Sequence, residues 1–288
     1  MKRAKTLAVL LIIAAVFSVS CRKKASVKGV EFAVIFSEKA LTDNLMTDVT
    51  YRWKTTADFQ KMDQDLSVFV HFWNGANMLF QDDYMPEPPT SKWEPGKEYT
   101  VTHRVYIPKF IDEFDPQFKG QETLRLSVGL YSPFDRTGKV KFQIFDENLK
   151  VVPPPPDTPE IVYENGWYDQ ENSPTSPLKR WRWTAGEARC IIDNPRRDAL
   201  LVVRGALNTD AVKEQKVILK INDVVLDEFI PPTGEFDKTY KIAKDMLGNE
   251  NDFRLTIATD KPFVPARVYP TSKDERELGI QITFIYFR

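Results

Sequence analysis

Leu124-Arg125-Leu126-Ser127-Val128-Gly129-Leu130 is the stretch that decides the fold. Its apolar residues fall at every second position, the period of a strand with one buried face, and not at the 3.6-residue period of a helix. Tyr99-Thr100-Val101-Thr102-His103-Arg104-Val105 alternates in the same way. Working outward, residues 31–36, 48–53, 66–73, 99–107, 123–131 and 139–145 are rich in Val, Phe, Tyr, Ile and Thr, which suit a pleated, half-buried surface. Turn signals separate them: Trp73-Asn74-Gly75, Glu94-Pro95-Gly96-Lys97 and Arg136-Thr137-Gly138-Lys139. Short strands at this spacing predict an immunoglobulin-like β-sandwich over residues 30–152.

Val151-Val152-Pro153-Pro154-Pro155-Pro156-Asp157-Thr158-Pro159 ends that run. Consecutive prolines cannot continue a sheet and favour polyproline II, so 153–159 reads as a semi-rigid linker. Beyond it, residues 180–184, 187–192, 199–204, 216–221, 224–229, 236–242, 252–258 and 278–287 are strand candidates. Asn222-Asp223 is a hairpin turn between two of them. Eight strands predict a second, jelly-roll-like β-sandwich over 160–288. The predicted fold class is all-β, with two tandem sandwiches.

The N-terminus reads as an address. Lys2, Arg3 and Lys5 precede an apolar run from Leu7 to Phe17, then Ser18-Val19-Ser20-Cys21. A basic start, a short apolar core and small residues make 1–20 a signal peptide; the run is too short to span a bilayer. Small residues directly before Cys21 resemble a bacterial lipobox, with Ser18 departing from the aliphatic residue that the pattern prefers. That resemblance implies cleavage before Cys21 and its lipidation. Residues 21–29 become a tether carrying Arg22, Lys23, Lys24 and Lys28, suited to anionic headgroups. The expected location is the bacterial cell envelope. Arg22 stands where one inner-membrane retention signal has Asp, so the outer membrane is favoured. The membrane is one expected partner, through the lipid anchor.

The formal net charge is −1, which argues against nucleic acid as a partner because such proteins carry a basic face or stripe. With 2 His and 2 Cys the chain has too few ligands for a His/Cys metal cluster. No cofactor is implied. There is no Gly-x-Ser-x-Gly elbow, Walker loop, Gly-x-Gly-x-x-Gly fingerprint or His-Glu-x-x-His helix. His71 shares a strand face with Phe69 and Trp73, and His103 shares one with Tyr99, Val101 and Val105, so both read as structural. Asp82-Asp83, Glu113 with Asp115, and Asp274 with Glu277 are carboxylate pairs of the kind that glycoside hydrolysis uses. Asp63-Gln64-Asp65 and Asp82-Asp83 lack the Gly and closing Glu of an EF-hand. Cys190, in a strand, reads as a buried, inert thiol.

Aromatic residues are the better lead. Sugar-binding sandwiches stack pyranose rings on exposed aromatic faces while polar groups bond the hydroxyls. Trp93 in a Pro-rich loop, and Trp167 with Tyr168 ahead of a loop holding Pro174 and Pro177, are the candidates. The competing reading places Trp167 over the end of a core. Trp181 and Trp183 share a face expected to be core, with Arg180 and Arg182 opposite. Asp274 and Arg276 suit a structural clasp before the last strand better than a ligand site.

Two sets of segments resemble known modules. Val68-Phe69-Val70-His71-Phe72, Gln81-Asp82-Asp83, Pro89-Thr90-Ser91-Lys92-Trp93-Glu94-Pro95-Gly96 and Val128-Gly129-Leu130-Tyr131 resemble a β-sandwich module of bacterial envelope proteins, found also beside membrane glycosyltransferases. Gly166-Trp167-Tyr168, Arg182-Trp183-Thr184, Phe263-Val264-Pro265 and Asp274-Glu275-Arg276-Glu277-Leu278-Gly279 are similar to another, which accompanies glycosyltransferases and cell-surface carbohydrate proteins. The resemblance implies carbohydrate-related surroundings and no catalytic residues. The long segment from Pro108 to Glu122 departs from it. The expected function is a non-catalytic, membrane-anchored envelope lipoprotein with a binding or scaffold role, glycan being the leading ligand. An accessory protein for an envelope complex is the alternative, and a glycan-active hydrolase the weakest of the three.

Overall fold

A computed structural model describes residues 27–288 apart from 136, 139 and 175, and apart from the side chains of 176–178. The expected signal peptide over 1–20, Cys21 and most of the expected tether lie outside the described residues. The chain divides into two compact units between Pro153 and Pro154. No helix among the described residues is long and apolar enough to cross a membrane.

The first unit holds β1 (Val30–Phe36), β2 (Leu41–Thr42), β3 (Leu45–Thr55), β4 (Ser67–Asn74), β5 (Asn77–Gln81), β6 (Glu98–Ile107), β7 (Glu122–Tyr131) and β8 (Lys141–Val152). One sheet runs β1-β3-β6 and the other β2-β8-β7-β4-β5. All pairings in the two sheets are antiparallel except the short β2 with β8. This is immunoglobulin-like order, with the first, third and sixth strands facing a sheet built on β4, β7 and β8. Val49, Tyr51 and Trp53 from β3 meet Val68, Val70 and Phe72 from β4 and Leu124, Leu126 and Val128 from β7 in one core. The alternation in β7 therefore buries its leucines and turns Arg125 outward, as period-2 geometry requires. The segment after β6 is tied down at its start, where Asp43 Oδ2 accepts the backbone N–H groups of Phe110 and Ile111 at 2.9 Å each.

The second unit holds β9 (Ile161–Tyr163), β10 (Glu171–Ser173), β11 (Ser176–Trp183), β12 (Glu187–Asp193), β13 (Ala199–Ala206), β14 (Val217–Ile221), β15 (Val224–Phe229), β16 (Glu235–Ile242), β17 (Asp252–Thr259) and β18 (Gln281–Phe287). Helices α1 (Lys244–Leu247) and α2 (Pro265–Val268) are single turns. One sheet runs β10-β11-β18-β13-β16 and the other β15-β14-β17-β12-β9. Without the two short strands β9 and β10, successive strands from β11 to β18 alternate between sheets apart from the β14–β15 hairpin, which is jelly-roll order. That hairpin turns at Asn222 and Asp223, at φ 47° and 67°, the left-handed pair that a two-residue type I′ loop demands. Asn222 also bonds outward: its amide donates to Leu247 O and its carbonyl accepts from Arg254 N. Cys190 is buried in this core, and burial pushes its thiol up to about 12, so it stays protonated and unreactive at neutral pH.

One expectation is corrected here. Trp181 and Trp183 are not core; both are half-buried. Trp181 Nε1 donates to Glu171 Oε2 at 3.1 Å, and Trp183 meets Phe263 edge-on. The large apolar volume of the second core comes instead from Phe253, Phe287, Phe236 and the aliphatic residues around them.

Candidate functional site

Strand β4 is apolar on both faces. Val68, Val70 and Phe72 enter the core, so Phe69, His71 and Trp73 point the other way, across the outside of the five-stranded sheet, where Phe69 is covered to 3% exposure and His71 and Trp73 stay half-buried. Their rings form a row, with centroids 5.2 Å apart for Phe69–His71 and 6.1 Å for His71–Trp73, and Tyr131 extends it beyond Phe69 at 6.5 Å. The neighbouring strand supplies Gly129, Ser127 and Arg125 opposite Phe69, His71 and Trp73 in turn. Gly129 is required by this packing: a Cβ there would lie 2.6 Å from two Phe69 ring carbons and 2.0 Å from Phe142 O. Strand β8 adds Lys141 and Gln143 beyond it. Together these strands and the β4–β5 turn floor a groove of about 480 Å³, within the range of small-ligand sites.

The groove's polar groups are held in place. Arg125 grips Asp146 with two hydrogen bonds, Nε to Oδ1 at 2.7 Å and a terminal nitrogen to Oδ2 at 2.9 Å, and that contact raises the guanidinium further above its ordinary pKa. The Gln143 amide donates to the same carboxylate. His71 Nε2 stands 3.4 Å from Asp83 Oδ1, which also accepts the Val70 backbone N–H at 2.9 Å. The Lys141 ammonium sits 4.5 Å from the centre of the Phe69 ring.

Asp82 faces the opposite way from its neighbour. Its Oδ2 accepts Tyr51 Oη at 2.8 Å and lies 2.8 Å from His103 Nδ1. Burial, then the adjacent Asp82 carboxylate, raises the Tyr51 phenol far above its ordinary pKa, so it is a permanent donor. Tyr84 stacks on Tyr51 and accepts Trp53 Nε1. This network closes the side of the sandwich where the edge strands β5 and β6 lie. Beside it is a smaller cavity of about 190 Å³ lined by Tyr84, Met85, Glu87, Tyr99 and His103, among others. The adjacent acids thus each orient one histidine, on opposite faces.

The residues singled out from sequence fall elsewhere. Trp93 is a correction: it is fully buried, stacked on Tyr99 at 4.8 Å and near Trp53, with Nε1 donating to Pro88 O. Its ring offers no free face to a sugar. Trp167 is half-buried, bonds Arg189 O and packs against the second core. Tyr168 is half-buried; its hydroxyl donates to Glu277 O and its ring lies 5.1 Å beneath the Arg276 guanidinium. Asp274 and Arg276 form the expected clasp. Arg276 bonds both Asp274 oxygens and reaches Glu171 Oε1 at 2.9 Å, joining the segment before β18 to β10. Among the described residues no group of three or more His, Cys, Asp or Glu is placed to hold a metal ion. Reading from sequence put His71 beside Phe69 and Trp73 on one face but did not single out Trp73, Arg125, Lys141 or Gln143. The signal was the shared face; its outward direction was not visible.

No family model matches this chain, and no curated protein matches it. Among solved structures it is similar to a β-glucuronidase from Bacteroides uniformis, at 10% identity and a TM-score of 0.31, over 89% of this chain and 30% of that one. The mosquito-larvicidal Cry4Aa toxin of Bacillus thuringiensis overlaps at 10% identity and TM-score 0.27, covering 90% of this chain and 52% of the toxin. The collagen adhesin of S. aureus overlaps at 8% identity and TM-score 0.20, covering 91% of this chain and 95% of the adhesin. The chain spans less than a third of the glucuronidase and about half of the toxin. Overlaps at these TM-scores carry no argument about activity.

Proposed function

We propose that this chain is a non-catalytic envelope lipoprotein, anchored through Cys21, whose first unit binds glycan on the outer face of its five-stranded sheet. The observation that carries the reading is the outward, half-buried pair His71 and Trp73, backed by the buried Phe69 and beside the hydrogen-bonding side chains of Arg125, Ser127 and Gln143, over a groove of about 480 Å³. Flat aromatic surface takes the C–H faces of a sugar ring, and fixed polar groups at its margin take the hydroxyls. A row on a strand is also rigid, so little freedom is lost on binding. The resemblance of the β4 and β7 segments to carbohydrate-associated modules points the same way.

The test is a tryptophan-fluorescence titration of the protein with envelope polysaccharide fractions. A saturable change is expected, and Trp73→Ala should weaken it about tenfold while the far-ultraviolet circular dichroism is unchanged. Saturable binding that ignores Trp73→Ala would move the site elsewhere. A flat response across all fractions would favour the second reading, an accessory role in an envelope complex. That reading draws on edge strand β15, where Val224 and Val225 are 60% and 52% exposed and the strand's outer hydrogen-bonding side is unpaired in its sheet.

A further inference from the structure

The groove carries a charge sign. The charged residues lining it are Arg125 and Lys141, with His71 between them and no carboxylate in the lining. Two acids contact the lining residues, and both are already committed. Asp146 takes the Arg125 fork and the Gln143 amide, and Asp83 takes the Val70 N–H and faces His71. Arg125 is therefore matched in charge. Lys141 is not: it makes no ion pair among the described residues, and its ammonium rests over Phe69 instead. Phe69 beneath it is buried, so a pyranose would stack on the half-buried His71 and Trp73, with Lys141 at the margin, opposite Tyr131 in the register of β7 and β8.

We infer that the saccharide taken by this groove is acidic, a glycan of the uronate class whose carboxylate pairs with Lys141, above the buried Phe69, while its ring stacks on His71 and Trp73. The inference rests on the glycan reading above and narrows it. A neutral sugar offers the ammonium hydroxyl acceptors but no counter-charge. A uronate brings the missing counter-charge to this exposed cation, and a charge-assisted hydrogen bond is the stronger kind. Gln143 and Ser127 remain to meet the hydroxyls.

Isothermal titration of the whole protein with oligogalacturonate, with the same oligomer reduced at its carboxyls to primary alcohols, and with polyglutamate separates the outcomes. The acid oligomer should bind about fivefold more tightly than the reduced one, as expected of a single partly exposed ion pair. Lys141→Gln should erase that difference, Lys141→Arg should keep most of it, and added salt should shrink it. Equal binding of the acid and reduced oligomers, or a difference indifferent to Lys141→Gln, overturns the charge inference and leaves the glycan reading standing. Polyglutamate binding as tightly as the acid oligomer overturns the saccharide class. Binding of neither oligomer overturns this inference, and the glycan reading then stands or falls on the titration with envelope polysaccharide fractions.

Discussion

At the scale of single residues, Asp82 and Asp83 show how far neighbours in sequence can part. In an extended chain they point to opposite faces, so one carboxylate meets Tyr51 and His103 at the side of the sandwich and the other meets His71 beside the groove. The sequence pairs these acids with each other; the structure pairs each with a histidine tens of residues away or on the adjoining strand. The Asp274–Arg276 pair is the opposite case, legible because both partners lie within two residues. Its hydrogen bonds to Arg276 hold the Asp274 carboxyl below its ordinary 3.8. A carboxyl depressed in the folded state adds stability that is complete above the unfolded value and is lost as pH falls through the folded one. Urea midpoints should therefore drop as pH is lowered below about 4, and Arg276→Met should flatten that drop by removing the depression. An identical acid slope in the variant would mean that other carboxylates carry it.

At the scale of elements, eight of the ten strands of the second unit and six of the eight in the first lie where alternation and β-branched or aromatic content place them. The short β2, β5, β9 and β10 were not legible. Strands of two to five residues hold too little pattern, and they exist because a longer neighbour supplies the hydrogen-bond ladder. The face of β4 was illegible for another reason: Val68-Phe69-Val70-His71-Phe72-Trp73 is apolar at both parities, so the pattern cannot say which side meets the core. Gly129 is where element and site meet, since the Phe69 ring lies where its Cβ would be. Gly129→Ala should cost about 3 kcal/mol, read as a lower urea midpoint at unchanged slope, because backbone and a buried ring must both yield. A loss below about 0.5 kcal/mol would mean that the β7–β8 bulge beside it relaxes freely.

At the scale of the whole molecule, each unit carries its own apolar core. The proposed address at the N-terminus is read from residues 1–21 alone. If Cys21 carries the acyl chains, Cys21→Ser should move the protein from the membrane pellet to the soluble fraction of lysed cells, since a lone basic tether binds only weakly without them. Full retention in the pellet would overturn the anchor. What the sequence by itself determined is what depends on local pattern: the all-β class, the immunoglobulin-like and jelly-roll-like characters of the two sandwiches, and the clasp at Asp274 and Arg276. Only the tertiary structure decided which aromatic rings are free. Trp93, in a polar, proline-rich loop, is driven inside by Trp53 and Tyr99, while Trp73, in an apolar strand, is turned out. The reason is physical: burial is set by what the opposite sheet brings to each face, and that partner lies far away in the chain.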